Sequence, residues 1–178
     1  MNATSLAPES DYATVSAPRE VRLQRVLPGP IERVWRHLTE SELRRQWLAA
    51  GDMALRVGAP FTLTWRNDEL AAQPGQRPDG FGAEHSMHSR ITALDPPHRL
   101  AFAWADGEVS FELQPQGEQV LLTLVHRGVS DRHNMVMVGA GWHVHLDILG
   151  ERLGGVESAP FWDRWSALRE EYAQRIPA

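Results

Sequence analysis

The sequence predicts an α+β fold in which a bent antiparallel sheet is covered by one long C-terminal helix. Two patterns carry this expectation. From about Met53 to Arg127, apolar and polar residues alternate, and short turns rich in Pro, Gly and Asp break the runs, as in an antiparallel meander. After Asp131 the apolar spacing changes from two to about 3.6 residues, the period of a helix. A sheet that is apolar on one face needs a cover, and the long helix supplies it. The 178 residues suit one domain with a real core.

Residues 1–19 are Ser, Ala, Pro and acid without periodicity, and are expected to be a disordered tail; residues 20–178 are expected to be the folded domain. "VRLQRVL" alternates from Val21 and reads as a half-buried strand, which "PGP" stops. "PIERVWRHL" places Ile31, Val34, Trp35 and Leu38 on one helical face, with Pro30 suited to the first turn. Thr39 and Glu42 form a capping box for a second short helix, "SELRRQWL". About six strands follow. "FTLTW" is one, and the polar stretch from Arg66 to Gly80 is a long loop or irregular hairpin end. "AEHSMHSRITAL" is the next. "HRLAFAW" puts Leu100, Phe102 and Trp104 on one face, and the Asp-Gly of "ADGE" signals the turn into "VSFEL". "QVLLTLVHRGV" carries Leu122, Leu124 and His126 on one face. On a wheel of about 100° per residue, Met135, Val138, Leu146, Leu149 and Leu153 lie within roughly 40° of Trp142, which gives a long amphipathic helix ending at Gly154-Gly155. A last helix opens near Ser158–Pro160 with a stripe of Phe161, Trp165, Leu168, Tyr172 and Ile176.

The segments "VWRHLTESELRRQWL", "ITALDPPHRLAFAW", "VSFELQPQGEQVLLTLVHRGV", "GWHVHLDILGERLGG" and "PFWDRWSALREEY" run in this order across roughly residues 20–176. In them the chain resembles the domain named for the activator of the heat shock protein 90 ATPase, within the START and birch-pollen-allergen superfamily (SRPBCC). The resemblance implies a helix-grip fold, a curved sheet wrapped around the long helix with a cavity between them. Many bacterial members of that family consist of this domain alone, so a bacterial protein is the expectation; activity is implied less directly, since fold is not function.

Composition excludes several chemistries. All 18 basic residues are Arg, so there is no lysine for a Schiff base or a Walker-type phosphate loop. There is no Cys, hence no disulfide, thiolate nucleophile or zinc–thiolate site. The formal charge of −5 provides no global basic field for nucleic acid. No stretch reaches the length of a membrane span, and the N-terminus lacks the regions of a secretory signal, so a cytoplasmic location is expected. No cofactor is implied.

The histidines are the first candidates for chemistry. His143 and His145 are two residues apart in a helix and point about 160° apart, so they do not readily chelate one ion; no metal site is expected. His145 flanks the apolar face and either offers a hydrogen bond to a ligand or bonds a neighbouring strand or Asp147. His85 and His88 fall on opposite faces of a strand. His126 shares a face with Leu122 and Leu124, and it is positioned to face His145 across the cavity or to be satisfied near its strand end. Glu112, Asp147 and Glu151 read as solvent-facing, and no paired carboxylates stand out. Ser110 and Ser130 have no evident base, and "GAG" at 139–141 lies within a helix pattern rather than a phosphate loop. The seven tryptophans are many for this length, and aromatic walls suit flat apolar ligands. The side chains expected to line a cavity are Trp47, Trp65, His88, Phe102, Trp104, Phe111, Leu124, His126, Trp142, His145, Leu146 and Leu149.

Three functions are compatible with these residues. The first is binding of a small hydrophobic molecule, aromatic or lipid-like. The second, resting on the family resemblance alone, is a co-chaperone that stimulates a heat shock protein 90-type ATPase. The third, implied by the resemblance because the superfamily includes polyketide cyclases and aromatases, is an enzyme of that kind with His126 and His145 as acid–base groups.

Overall fold

The computed structural model describes residues 8–178. In chain order the elements are β1 (Thr14–Ala17), β2 (Glu20–Pro28), α1 (Ile31–Thr39), α2 (Ser41–Arg44), β3 (Pro60–Trp65), a 3-10 turn (Asn67–Glu69), β4 (His85–Asp95), β5 (Arg99–Trp104), β6 (Gly107–Gln116), β7 (Gln119–Arg127), α3 (Arg132–Gly154) and α4 (Phe161–Arg175). Among the described residues seven strands form one antiparallel sheet in the order β1-β2-β7-β6-β5-β4-β3. Strands β3 to β7 are the expected meander, and β2 closes the order by pairing with the last strand. The architecture is the α+β helix-grip fold.

Register explains the core. Ile91, Phe102, Val109, His126 and Val21 stand opposite one another across β4, β5, β6, β7 and β2. Leu100, Phe111, Leu124 and Leu23 form the next row, and all of these side chains are buried. Inward-facing side chains of one parity on five strands thus give one continuous buried surface. Helix α3 lies on it. Asp131 caps its start by accepting from the Asn134 amide at 2.8 Å, and Gly155 ends it in the left-handed region at φ 69°.

Several expectations are corrected. The tail is ordered from Tyr12: β1 pairs with β2, the Ala13 amide donates to the Tyr172 hydroxyl at 2.6 Å, and the Tyr12 ring packs on His143 at 4.9 Å. Residues 1–7 of the expected tail lie outside the described residues. Five strands, β3 to β7, follow the short helices rather than about six. Thr39 does not start α2. It ends α1, and its hydroxyl donates to the Trp35 carbonyl at 3.0 Å. The carbonyls there are gathered by Arg44, which is buried and donates to Leu38, Thr39, Ala49 and Gly51. Burial draws its guanidinium down to about 10. The β5–β6 turn is Ala105-Asp106, with Ala105 at φ 49°, whereas Gly107 is already in β6 opposite Trp104. Finally, α3 is not amphipathic in its middle. Trp142 to Leu146 are all buried, because the sheet covers one side and α4 with the N-terminal segment covers the other. Asp147 is accordingly not solvent-facing. It pairs with Arg25 at 3.0 Å and Arg164 at 3.4 Å.

Candidate functional site

Between α3 and the middle of the sheet the space is filled. Phe102, Phe111, Leu124, Leu146 and Leu149 have 1% or less of their surface exposed and pack against one another as core. Trp47 is likewise fully buried; its indole donates to the His37 carbonyl at 2.8 Å, and its ring meets Phe111 edge-on. The open space lies beyond one end of this core. It is a cavity of about 380 Å³ bounded by β3 and β5, the first half of α3, the start of α4 and the loop that leads into β4.

Its wall is aromatic. Trp65 closes β3, Trp104 closes β5 and Trp142 rises from α3, and the Trp104 ring is 5.4 Å from Trp65 and 5.5 Å from Trp142. Helix α4 adds Phe161, Trp162 and Trp165, and the ring of loop residue Phe81 packs at a steep angle against the last two at 5.3 and 5.1 Å. Gly141 leaves the wall open on α3, since a Cβ there meets nothing nearer than the Trp165 Nε1 at 4.0 Å. The loop is pinned at its base. The Trp162 amide donates to the Pro74 carbonyl at 3.2 Å, the Gln76 amide to Asp163 at 2.9 Å, and the Trp162 indole to Asp68 at 2.7 Å. Gly75 is required beside the second of these contacts, because at φ 76° its Cβ position is 2.6 Å from Asp163 Oδ1. The stretch 80–84 beyond this base is exposed.

The polar groups of the wall are few: Asn67, Glu84, His85 and His145. Glu84 is paired with Arg66 at 2.9 Å. His145 holds the backbone carbonyl of Trp47 at 2.8 Å through Nδ1, and burial pulls its pKa down to about 4. His126 is drawn down to about 4 in the same way, and its Nδ1 accepts the Trp142 indole N–H at 3.1 Å. The Trp142 ring stands between the two imidazoles, 6.4 Å from one and 6.3 Å from the other. His126 is therefore not opposite His145 across the cavity. It sits behind the Trp142 wall and sets the direction of that indole. His143 faces the other way, with Nδ1 on the Tyr172 hydroxyl at 2.8 Å and Nε2 on Asp147 at 3.3 Å.

Of the twelve side chains expected around a cavity, Trp65, Trp104, Trp142 and His145 stand on its wall. Trp47, Phe102, Phe111, Leu124, His126, Leu146 and Leu149 lie in the packed interior. His88 is on the outer face, bonded to Thr62 at 2.9 Å, and His85 takes the wall position because it shares parity with buried Ile91. Parity with Ile91 was the signal for that choice. The contributions of Leu48, Phe81 and the α4 aromatics required knowing where α4 docks, although three aromatics within "PFWDRW" are a visible cue.

The arrangement is akin to known folds. Over 96% of this chain and 95% of its counterpart, it is 33% identical to the protein encoded by gene BPP1335 of Bordetella parapertussis, solved in solution by NMR, with a TM-score of 0.77. The crystal structure of CalU16 from Micromonospora echinospora is 22% identical over 89% of each chain, with a TM-score of 0.64. The conserved protein EF2215 of Enterococcus faecalis, of unknown function, is 20% identical over 88% of this chain and 84% of its own, with a TM-score of 0.66. These two show the fold alone. No curated protein matches the chain. Residues 28–154 match the family described as Activator of Hsp90 ATPase homolog 1-like protein, from the end of β2 to the end of α3, and the chain belongs to that family.

Proposed function

We propose that this domain binds a small hydrophobic molecule, aromatic in character, in the cavity between α3, α4 and the open end of the sheet. The observation that carries the reading is the wall itself, in which five tryptophans and two phenylalanines surround about 380 Å³ with only four polar side chains among them. Pockets for small molecules are of this size and this mostly apolar character, and rigid rings present contact area at low entropic cost. A filled core behind the wall keeps it rigid, so little ordering has to accompany binding.

The test is a panel of flat aromatic compounds and fatty acids, read by tryptophan emission and by thermal unfolding. A ligand at a hundred times its Kd stabilises the fold by about 2.7 kcal/mol, which a melting curve resolves. Gly141→Leu, which puts a side chain into the cavity and suits a helix better than glycine, abolishes the response while the protein stays folded. If no aromatic and no fatty acid moves either signal in the unaltered protein, the reading fails.

The family's description favours one other reading, that of a partner of an Hsp90-type ATPase. It predicts a raised ATPase rate when the domain is added to the chaperone, and an unchanged rate rejects it.

A further inference from the structure

We infer that the cavity selects an uncharged aromatic hydroxyl compound, a phenol or naphthol, whose O–H donates to Nε2 of His145. The inference rests on the binding function proposed above and gives it a ligand class and a specificity-determining residue.

The argument starts from the other nitrogen of the ring. Nδ1 of His145 lies 2.8 Å from the carbonyl oxygen of Trp47. A carbonyl only accepts, so Nδ1 carries the proton and Nε2 holds a lone pair. Among the described residues no protein group bonds Nε2, yet it is not sealed away as a buried unpaired atom, and the residue stands on the cavity wall. Its neighbours are rings, Phe161 at 5.0 Å and Trp142 at 6.3 Å. In so dry a setting the imidazolium is disfavoured, and burial brings the pKa down to about 4. The cavity therefore presents a neutral, fixed hydrogen-bond acceptor in an aromatic box.

Such an acceptor discriminates. A ligand that covers it without donating a proton leaves it stripped of water and unpaired, which costs affinity, whereas a hydroxyl in its place is matched. Charge narrows the class further. The one formally charged side chain on the wall is Glu84, already paired with Arg66, and no Arg lines the cavity among the described residues. A carboxylate ligand would enter without a cation to meet it and would face a lone pair at His145. Long flexible chains gain least here, since the wall is made of flat rings crossing at steep angles rather than of an aliphatic tunnel.

The probes are 2-naphthol, 2-methoxynaphthalene and 2-naphthoate, titrated calorimetrically into the full chain at pH 7. The expected order places 2-naphthol about fivefold to tenfold tighter than its methyl ether, the yield of one well-formed hydrogen bond, with 2-naphthoate weakest. His145→Phe removes the preference for naphthol while it keeps affinity for the ether. Because that variant also loses the bond to Trp47, a second measurement uses the unaltered protein. The Nε2 nitrogen resonance of His145 moves upfield on adding 2-naphthol and stays in place with 2-methoxynaphthalene. Equal affinities for the alcohol and the ether with an unmoved resonance overturn the inference but leave aromatic binding standing, as does tighter binding of the naphthoate. Failure of all three probes to bind overturns the aromatic pocket itself.

Discussion

Tyr172 shows how much a single hydroxyl carries. It accepts the Ala13 amide at 2.6 Å and meets His143 Nδ1 at 2.8 Å. His143 Nε2 lies 3.3 Å from Asp147, which can only accept, so in the neutral ring Nε2 carries the proton and Nδ1 accepts from the Tyr172 O–H. Burial pushes the tyrosine up to about 12 and keeps it a donor at any working pH. Burial alone would raise the pKa of Asp147, but the His143 hydrogen bond and the Arg25 charge outweigh it and hold the carboxyl below its usual range. Tyrosine, histidine and aspartate in series look like a relay, yet the hydroxyl ends on a backbone amide rather than in the cavity. Its work is to fasten residues 12–17 to α3 and α4. Tyr172→Phe leaves the Ala13 amide and the His143 nitrogen unpaired and should cost about 1–3 kcal/mol. The urea midpoint falls, and the Ala13 amide exchanges faster. An unchanged midpoint with a protected Ala13 amide would contradict this account.

At the scale of elements, the period of the sequence identified almost every strand and helix, because inward and outward faces follow from spacing alone on β5, β6 and β7. It missed β1, whose four residues are all exposed and pair with β2. It also misassigned the β5–β6 turn, since Asp-Gly is a local cue whereas the need for Gly107 is not. A Cβ at Gly107 would fall 1.9 Å from the Arg127 carbonyl oxygen of β7. Gly117, in the next turn, has φ 61° but meets nothing within 4 Å. Alanine at Gly107 must push two paired strands apart and should cost about 3 kcal/mol or more, while alanine at Gly117 costs only the left-handed backbone, about 1 kcal/mol. Matched urea titrations of the two variants check the contrast, and equal losses would count against it.

For the molecule as a whole, burial of two imidazoles links stability to pH. His126 and His145 are both drawn from the usual 6.5 to about 4, with desolvation the principal cause. Between those values the unfolded chain takes up a proton at each ring and the folded chain does not, so stability rises with pH across that window. It is complete above about pH 6.5 and declines as the pH falls toward 4, by up to about 3 kcal/mol per ring. Below this Asp147 adds to the loss, because its ionised form is the one that holds Arg25 and His143. Chemical denaturation between pH 8 and 4 should give a plateau followed by a fall whose slope approaches two protons. A level profile down to pH 4.5 would show that neither ring is buried neutral. Among the described residues no helix is long and apolar enough to cross a membrane.

By itself the sequence determined what short-range geometry determines. The order of elements, the inward faces of the central strands, and the divergence of His143 from His145 all follow from steps of about 180° or 100° per residue. Only the tertiary structure decided where empty space remains. Large apolar side chains at inward positions line a cavity or fill a core depending on how nearly their elements approach, and that distance depends on residues far apart in the chain. Here the sheet and the middle of α3 close on each other completely. The gap is left at the end, where α4 and the 66–84 loop place Phe81, Phe161, Trp162 and Trp165 around the same space as Trp104 and Trp142.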